Sequence, residues 1–358
     1  MKAEHKTNFL LNKTGSFRKN LLQLAFFLAM MLLTFYAIFH NNNISEIWAD
    51  IRSLTAFSLV CAVFCAVFFV CAEGFMIWYL LRLTQDGVSL LRCFGYSFIG
   101  FFFSGITPSA TGGQPAQLYF MKKDKISLGS STLTLMTVAL LYKLVLVFIG
   151  IGLLLFWRKS LAGYLGSYMS LFYIGIALNA ILVTLLLLIM YSGTRMERLL
   201  FRIEEFLIRI HILKPSAKRK EAFRRLIADY QSTLHFFSAH KLKILFVTLC
   251  TLLQRCSLFT LTYFIYQGLG LTSYPLLLIM ALQASVYIGV DMLPLPGSQG
   301  ISELMYHAVF TAIFTGGYLP ASMCITRGIS FYLPLIIGAL TFLLRLRRQV
   351  RIGAGGKE

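Results

Sequence analysis

Charge is what this chain has least of. Lys, Arg, Asp and Glu make up 13% of its 358 residues, about half the share usual in a soluble domain. The acids are scarcest, with 14 Asp and Glu against 33 Lys and Arg, a formal charge of +19. Mean hydropathy is +0.74, and apolar runs of 18 or more residues recur along the sequence. That pattern excludes a soluble globular protein and predicts an all-α polytopic membrane protein. The basic excess then needs no nucleic-acid partner, because cytoplasmic loops of membrane proteins are enriched in Lys and Arg.

Other absences narrow the chemistry. The seven cysteines, at 61, 65, 71, 93, 250, 256 and 324, lie in or beside apolar runs without metal-type spacing or matching histidines. Packing is their expected job, with no metal, no cofactor and no disulfide framework. No Gly-Lys-Ser/Thr follows a glycine-rich loop, so no P-loop is present. The first apolar run, 21–39, is followed by His40-Asn41-Asn42-Asn43 and no small-residue cleavage site, which reads as a retained span. The longest polar segment is about 50 residues, 194–243, and the sequence stops at Glu358. No soluble acyl-transfer domain is therefore expected, and no catalytic residue is assigned.

What is present is a series of apolar runs near 21–39, 56–81, 94–106, 132–156, 168–191, 244–266, 275–293, 301–315 and 321–344. The run 94–106 falls short of the ~20 residues that a span needs. It is followed by "TPSATGGQPAQLYF" and then Lys122-Lys123-Asp124-Lys125. If 94–121 crossed once, the 12 basic residues of 194–243 would face outward. If it enters and returns to the same side, 27 of the 33 basic residues fall inside, as the positive-inside rule requires. The same rule makes 275–315, broken by "PLPGSQG" at 294–300, enter and return from the outside.

The resulting expectation is about six full spans plus two oppositely oriented, interrupted re-entrant hairpins, 94–121 and 275–315. Residues 1–20 form a basic cytoplasmic N-terminus, 21–193 the first membrane half and 244–344 the second. Residues 345–358 form a basic cytoplasmic tail, so both termini face the cytoplasm in a multi-pass protein of the cytoplasmic membrane. Between the halves, 194–243 carries apolar residues at helical spacing and a charge of +7. It reads as an amphipathic helical pair attracted to anionic lipid, or as a positive-inside linker. Irregular backbone at membrane depth is tolerated where it lines a cavity, and interrupted segments in two halves point to a transport site.

Six ionisable residues fall inside apolar segments or hairpins: Glu73, Lys143, Arg255, Asp291, Glu303 and Arg327. Each is costly in lipid unless paired or hydrated. Three acids against three bases suggest pairing, around a polar cavity able to take a charged or zwitterionic headgroup. Glu303 also stands near a predicted helix start, where capping competes with substrate contact. His307, one turn on, forms a relay with Glu303 or is a core residue. Gly112-Gly113 permits positive φ and close backbone approach, with amides that could hold a phosphate.

The pair "ITPSATGGQPAQLYFMKK" and "LPLPGSQGISE", about 180 residues apart, resembles the lysylphosphatidylglycerol synthase transmembrane family, also called flippase-like domain proteins. The resemblance spans roughly 20–345. It implies a membrane domain that moves lipid, notably aminoacylated phosphatidylglycerol, between leaflets. In bifunctional members a cytosolic domain first transfers lysine from lysyl-tRNA to phosphatidylglycerol, which protects against cationic peptides. Carried over by motif, Gly112, Gly113, Gln114, Gln117, Pro296, Gly297, Gly300 and Glu303 would line the lipid path. Gln114 stands where Glu is frequent, Gln117 where Arg is common, and Ser298 replaces a Gly. The resemblance leaves two functions, a lipid translocase or a phosphatidylglycerol lysyltransferase or its membrane component. The partners it admits are an anionic phospholipid, a separate lipid-modifying enzyme and a second copy of the chain.

Overall fold

The computed structural model describes residues 44–83, 88–107, 110–191, 240–293 and 295–354, with isolated positions at 198, 202, 205, 209, 235 and 239. The expected N-terminus 1–20, the first span 21–39 and nearly all of 194–243 lie outside the described residues. Among the described residues every regular element is helical.

In chain order these are α1 (Ile44–Ser53), α2 (Ala56–Arg82), α3 (Leu90–Ile106), α4 (Gly113–Lys123), α5 (Leu128–Leu165) and α6 (Met169–Tyr191). Then follow α7 (Lys241–Gly268), α8 (Leu276–Val290), α9 (Ile301–Phe310), α10 (Leu319–Arg327) and α11 (Leu333–Ala354). Helices long and apolar enough to cross a membrane cover Ala56–Arg82, Leu128–Leu188, Lys241–Gly268 and Leu319–Arg347. The second of these stretches is two legs. It reverses at Gly166, where φ is +52°, and folds back so that Gly150 of α5 packs on Ile176 of α6. The described residues thus supply five spans of an all-α polytopic membrane protein. The last contains a π-turn, Gly328–Tyr332, between α10 and α11.

Helix lengths differ from the sequence reading in ways that follow from local chemistry. α5 begins at Leu128 rather than 132, because the Ser127 side chain accepts from Ser130 N and caps it. α3 ends at Ile106 because Thr107 precedes a proline and is extended, with φ −111° and ψ 144°. The expected basic tail starts within a helix, since α11 continues through Arg345 to Ala354.

α2 and α7 form an antiparallel central pair. Thr251 bonds the Met76 sulfur, Gln254 Nε2 donates to Phe69 O at 2.6 Å, and Thr55 N donates to Gly268 O at 3.1 Å. Their orientation defines two ends of the bundle, a basic one with Arg82 and Lys241 and an opposite one with Ala56 and Gly268. α3 and α4 form a hairpin whose open base lies at the basic end. There Arg345 donates to Arg92 O at 2.9 Å and contacts Asp124 at 3.3 Å. α8 and α9 form a second hairpin based at the opposite end, with Gly289 packed on Met305. At about 1.5 Å per residue, no leg of either hairpin reaches the ~30 Å of a hydrocarbon core. Close helix contacts rest on missing side chains: a Cβ at Gly338 would lie 2.3 Å from Phe98 O, and one at Gly175 2.2 Å from Ile288 O. Small residues at helix crossings are the usual means of tight packing in lipid.

Candidate functional site: a charged cavity between two broken hairpins

The first hairpin tip is held by its own side chains. Thr107 Oγ1 donates to Phe103 O at 2.7 Å and accepts from Gly112 N at 2.9 Å, while Ser104 Oγ donates to Ala110 O. The Gly112 amide is therefore engaged within the tip. The positive φ that the glycine pair permits falls instead on Ala110, at +53°, whereas Gly112 is helical at −81°. The close approach is real: a Cβ at Gly113 would stand 2.1 Å from Ser104 Oγ and 2.7 Å from Gly100 O.

The second tip runs Pro296–Ser298 as a 3-10 turn with Gly297, Ser298 and Gly300 at φ of +59°, +53° and +86°. Among the described residues each tip thus holds one non-glycine residue in the left-handed region, a conformation that costs of order 1–3 kcal/mol. Ser298 Oγ donates to Val290 O, tying the turn to the end of α8. Gln299 is fully buried with both amide atoms unpartnered among the described residues.

The two tips meet across Phe331 in the π-turn. A Cβ at Gly297 would lie 2.4 Å from Phe331 Cζ, and one at Gly105 3.4 Å from the same ring. Beside this contact is a cavity of about 550 Å³. Gly113, Gln114 and Gln117 of the first hairpin and Gly297, Ser298 and Glu303 of the second line it. So do all six intramembrane ionisable residues. Of the residues expected along the path, Gly112, Pro296 and Gly300 are not in its wall and act as tip backbone. His307 is exposed on α9, which removes the core reading.

Four of the six charges are directly paired. Lys143 bridges Asp291, which also accepts from Tyr142 OH. Arg327 Nε donates to Glu303 Oε1 at 2.6 Å, and Arg327 Nη2 to Gly297 O at 2.9 Å. The other two are not paired with each other. Glu73 Oε1 accepts from Gln117 Nε2 at 2.8 Å. Arg255 is 4% exposed and stacked, its Cζ 3.8 Å from the Tyr142 ring centroid and 4.5 Å from that of Phe69. A polar chain links the paired and unpaired charges. Arg255 Nη1 donates to Tyr287 OH at 3.4 Å, and the Tyr287 and Tyr142 hydroxyls are 3.1 Å apart. Tyr142, Tyr287, Gln299 and Phe331 escaped sequence reasoning. Aromatics are 15% of this chain, so their type carries no signal, and only the hairpin fold brings them to the charges.

These features define a multi-pass helical membrane protein with a charged cavity between two broken hairpins. Residues 20–338 match the family model described as the lysylphosphatidylglycerol synthase TM region, and the chain belongs to that family. No curated protein matches it in sequence.

Proposed function

We propose that the protein is a lipid translocase that moves a phospholipid headgroup, such as that of aminoacylated phosphatidylglycerol, through the cavity between the hairpins. The observation that carries this reading is the convergence of both tips and six ionisable residues on one cavity at the bundle interior. Charges so placed are costly unless they serve a polar ligand or water-filled path. Hairpins based at opposite ends give each half of the bundle its own mobile gate, the arrangement expected of alternating access. In this reading the basic end is cytoplasmic and the membrane is the plasma membrane. An anionic phospholipid is the ligand, supplied by a separate lipid-modifying enzyme.

The test is reconstitution into vesicles containing fluorescent phosphatidylglycerol, with the outer leaflet bleached by an impermeant reductant. Wild-type protein is expected to expose label from the inner leaflet, and Glu303→Gln protein that inserts normally is expected not to. Equal bleaching in empty and protein-containing vesicles, over several lipid headgroups, would overturn the reading.

A further inference from the structure

The cavity has three cations, and they are not equivalent. Lys143 and Arg327 each bridge a carboxylate. Arg255 is the most deeply buried of the three, at 4% exposed, yet no carboxylate oxygen of the described residues lies within 4.0 Å of its guanidinium. Its Nη1 reaches Tyr287 OH at a long 3.4 Å, its Nη2 reaches Gln254 Oε1 at 3.2 Å, and its Nε has no acceptor among the described residues. The flanking rings of Tyr142 and Phe69 orient the guanidinium and offset part of its charge, but they accept none of its in-plane hydrogens well. What is left is a planar, held, under-satisfied fork on a cavity wall. A guanidinium in that state matches the oxygens of a phosphate, which accept two parallel hydrogen bonds.

An acid of opposite sign stands near enough to spoil this. Glu73 is within electrostatic reach of Arg255, but its carboxylate is turned to Gln117 of the first hairpin, at 2.8 Å. We infer that Arg255 binds the phosphate group of the cavity's ligand, and that Gln117 keeps this site open by holding Glu73 away from it. The phosphate site stands on the cavity geometry; only the naming of a lipid headgroup as its source rests on the translocase reading. Gln117 is a positioning residue here. Without it the Glu73 carboxylate is free to turn onto Arg255 and neutralise it.

The experiment is ligand-dependent thermal stabilisation of the purified 358-residue protein in a non-ionic detergent. Three probes are compared: dioctanoylphosphatidylglycerol, dioctanoylglycerol with the same chains and no phosphate, and inorganic phosphate. Wild type is expected to be stabilised by the phosphatidylglycerol and not by dioctanoylglycerol. Arg255→Gln should weaken that binding at least tenfold, and Arg255→Lys, which keeps charge but loses the fork, by less. Gln117→Leu should weaken it comparably, and adding Glu73→Gln should restore it, because a neutral residue 73 no longer quenches Arg255. A merely structural Gln117 predicts no such rescue.

A shift with inorganic phosphate alone, lost in Arg255→Gln, keeps the site and makes free phosphate its source. Wild-type affinity in both Arg255→Gln and Gln117→Leu would overturn the inference, and the second variant decides if the first does not fold. Failure here is separable from failure of the translocase reading. Protein that binds phosphate through Arg255 but moves no lipid loses only the latter, and protein that moves lipid unaltered by Arg255→Gln loses only the former.

Discussion

Arg327 and Glu303 share one carboxylate oxygen across the second hairpin: Arg327 Nε donates to Glu303 Oε1 at 2.6 Å. The other oxygen, Oε2, accepts from Gly300 N at 2.8 Å and from Ser302 Oγ at 2.7 Å. Helix capping and ion pairing, competitors when the sequence is read alone, therefore occupy different atoms of one side chain. A carboxylate is needed for both at once, and it lies on the cavity wall.

Glu303→Gln should destabilise the protein by about 1–3 kcal/mol, because it leaves the partly buried Arg327 guanidinium without its counter-charge. The capping contribution adds at most about 1 kcal/mol. Arg327→Met in the same chain should recover most of the loss, since an apolar pair avoids the stranded charge. Thermal unfolding in detergent measures both. A single variant as stable as wild type would mean that Arg327 finds water or another acceptor.

Gly297 poses a backbone test. Its φ of +59° disfavours any side chain, and a Cβ would lie 2.4 Å from Phe331 Cζ. Gly297→Ala should cost about 2–4 kcal/mol, combining left-handed strain with overpacking. Phe331→Ala should make that cost smaller by relieving only the overlap. Gly163, helical and with nothing within 4 Å of its Cβ position, is the contrast: Gly163→Ala should be neutral or gain about 0.5–1 kcal/mol. Equal losses at 297 and 163 would show that the tip conformation carries no constraint.

Hydropathy and charge made much of the fold legible. Thr107-Pro108, the short run before it and the basic cluster after it marked a hairpin, and Pro294 and Pro296 marked the other. The six intramembrane ionisable residues were equally visible, because each breaks an apolar run. What stayed hidden depends on register between distant segments. Gln117 meets Glu73 only because α4 folds back along α3 beside α2. Phe331 reaches both tips from the π-turn between α10 and α11, a segment distant in sequence from the first of them. The Gly112-Gly113 pair left φ open, because close approach and left-handed backbone both select glycine. Here Ala110 took the second role, inside a tip stabilised by Thr107.

The proposed orientation rests on the excess of Lys and Arg at one end of the bundle. A single cysteine at position 220, in a chain with its native cysteines replaced, should resist an impermeant thiol reagent in intact cells. One in the segment 40–53, which connects the first span to α2, should label readily. Equal labelling at both would invert the bundle or break the hairpin assignment for 94–121, and with it the assignment of the basic end to the cytoplasm.

The remaining choice lies between movement and synthesis of the lipid. Transfer of lysine from lysyl-tRNA requires a surface that docks a folded tRNA and aligns its acyl ester with a phosphatidylglycerol hydroxyl. In these 358 residues the longest polar segment is 194–243, a fraction of the few hundred residues such a domain occupies. The cavity's one lysine, Lys143, is bridged to Asp291, and Glu303 is fully used by Arg327, Gly300 and Ser302. Neither is poised as a free base for acyl transfer. Purified chain given lysyl-tRNA and phosphatidylglycerol should therefore release no lysyl-lipid above a no-protein control. Addition of a separate lysyltransferase should restore product formation without altering the chain's own leaflet-exchange rate. Reproducible lysyl-lipid from the chain alone, abolished by Lys143→Met or Glu303→Gln, would make the cavity an acyl-transfer site and displace the translocase reading.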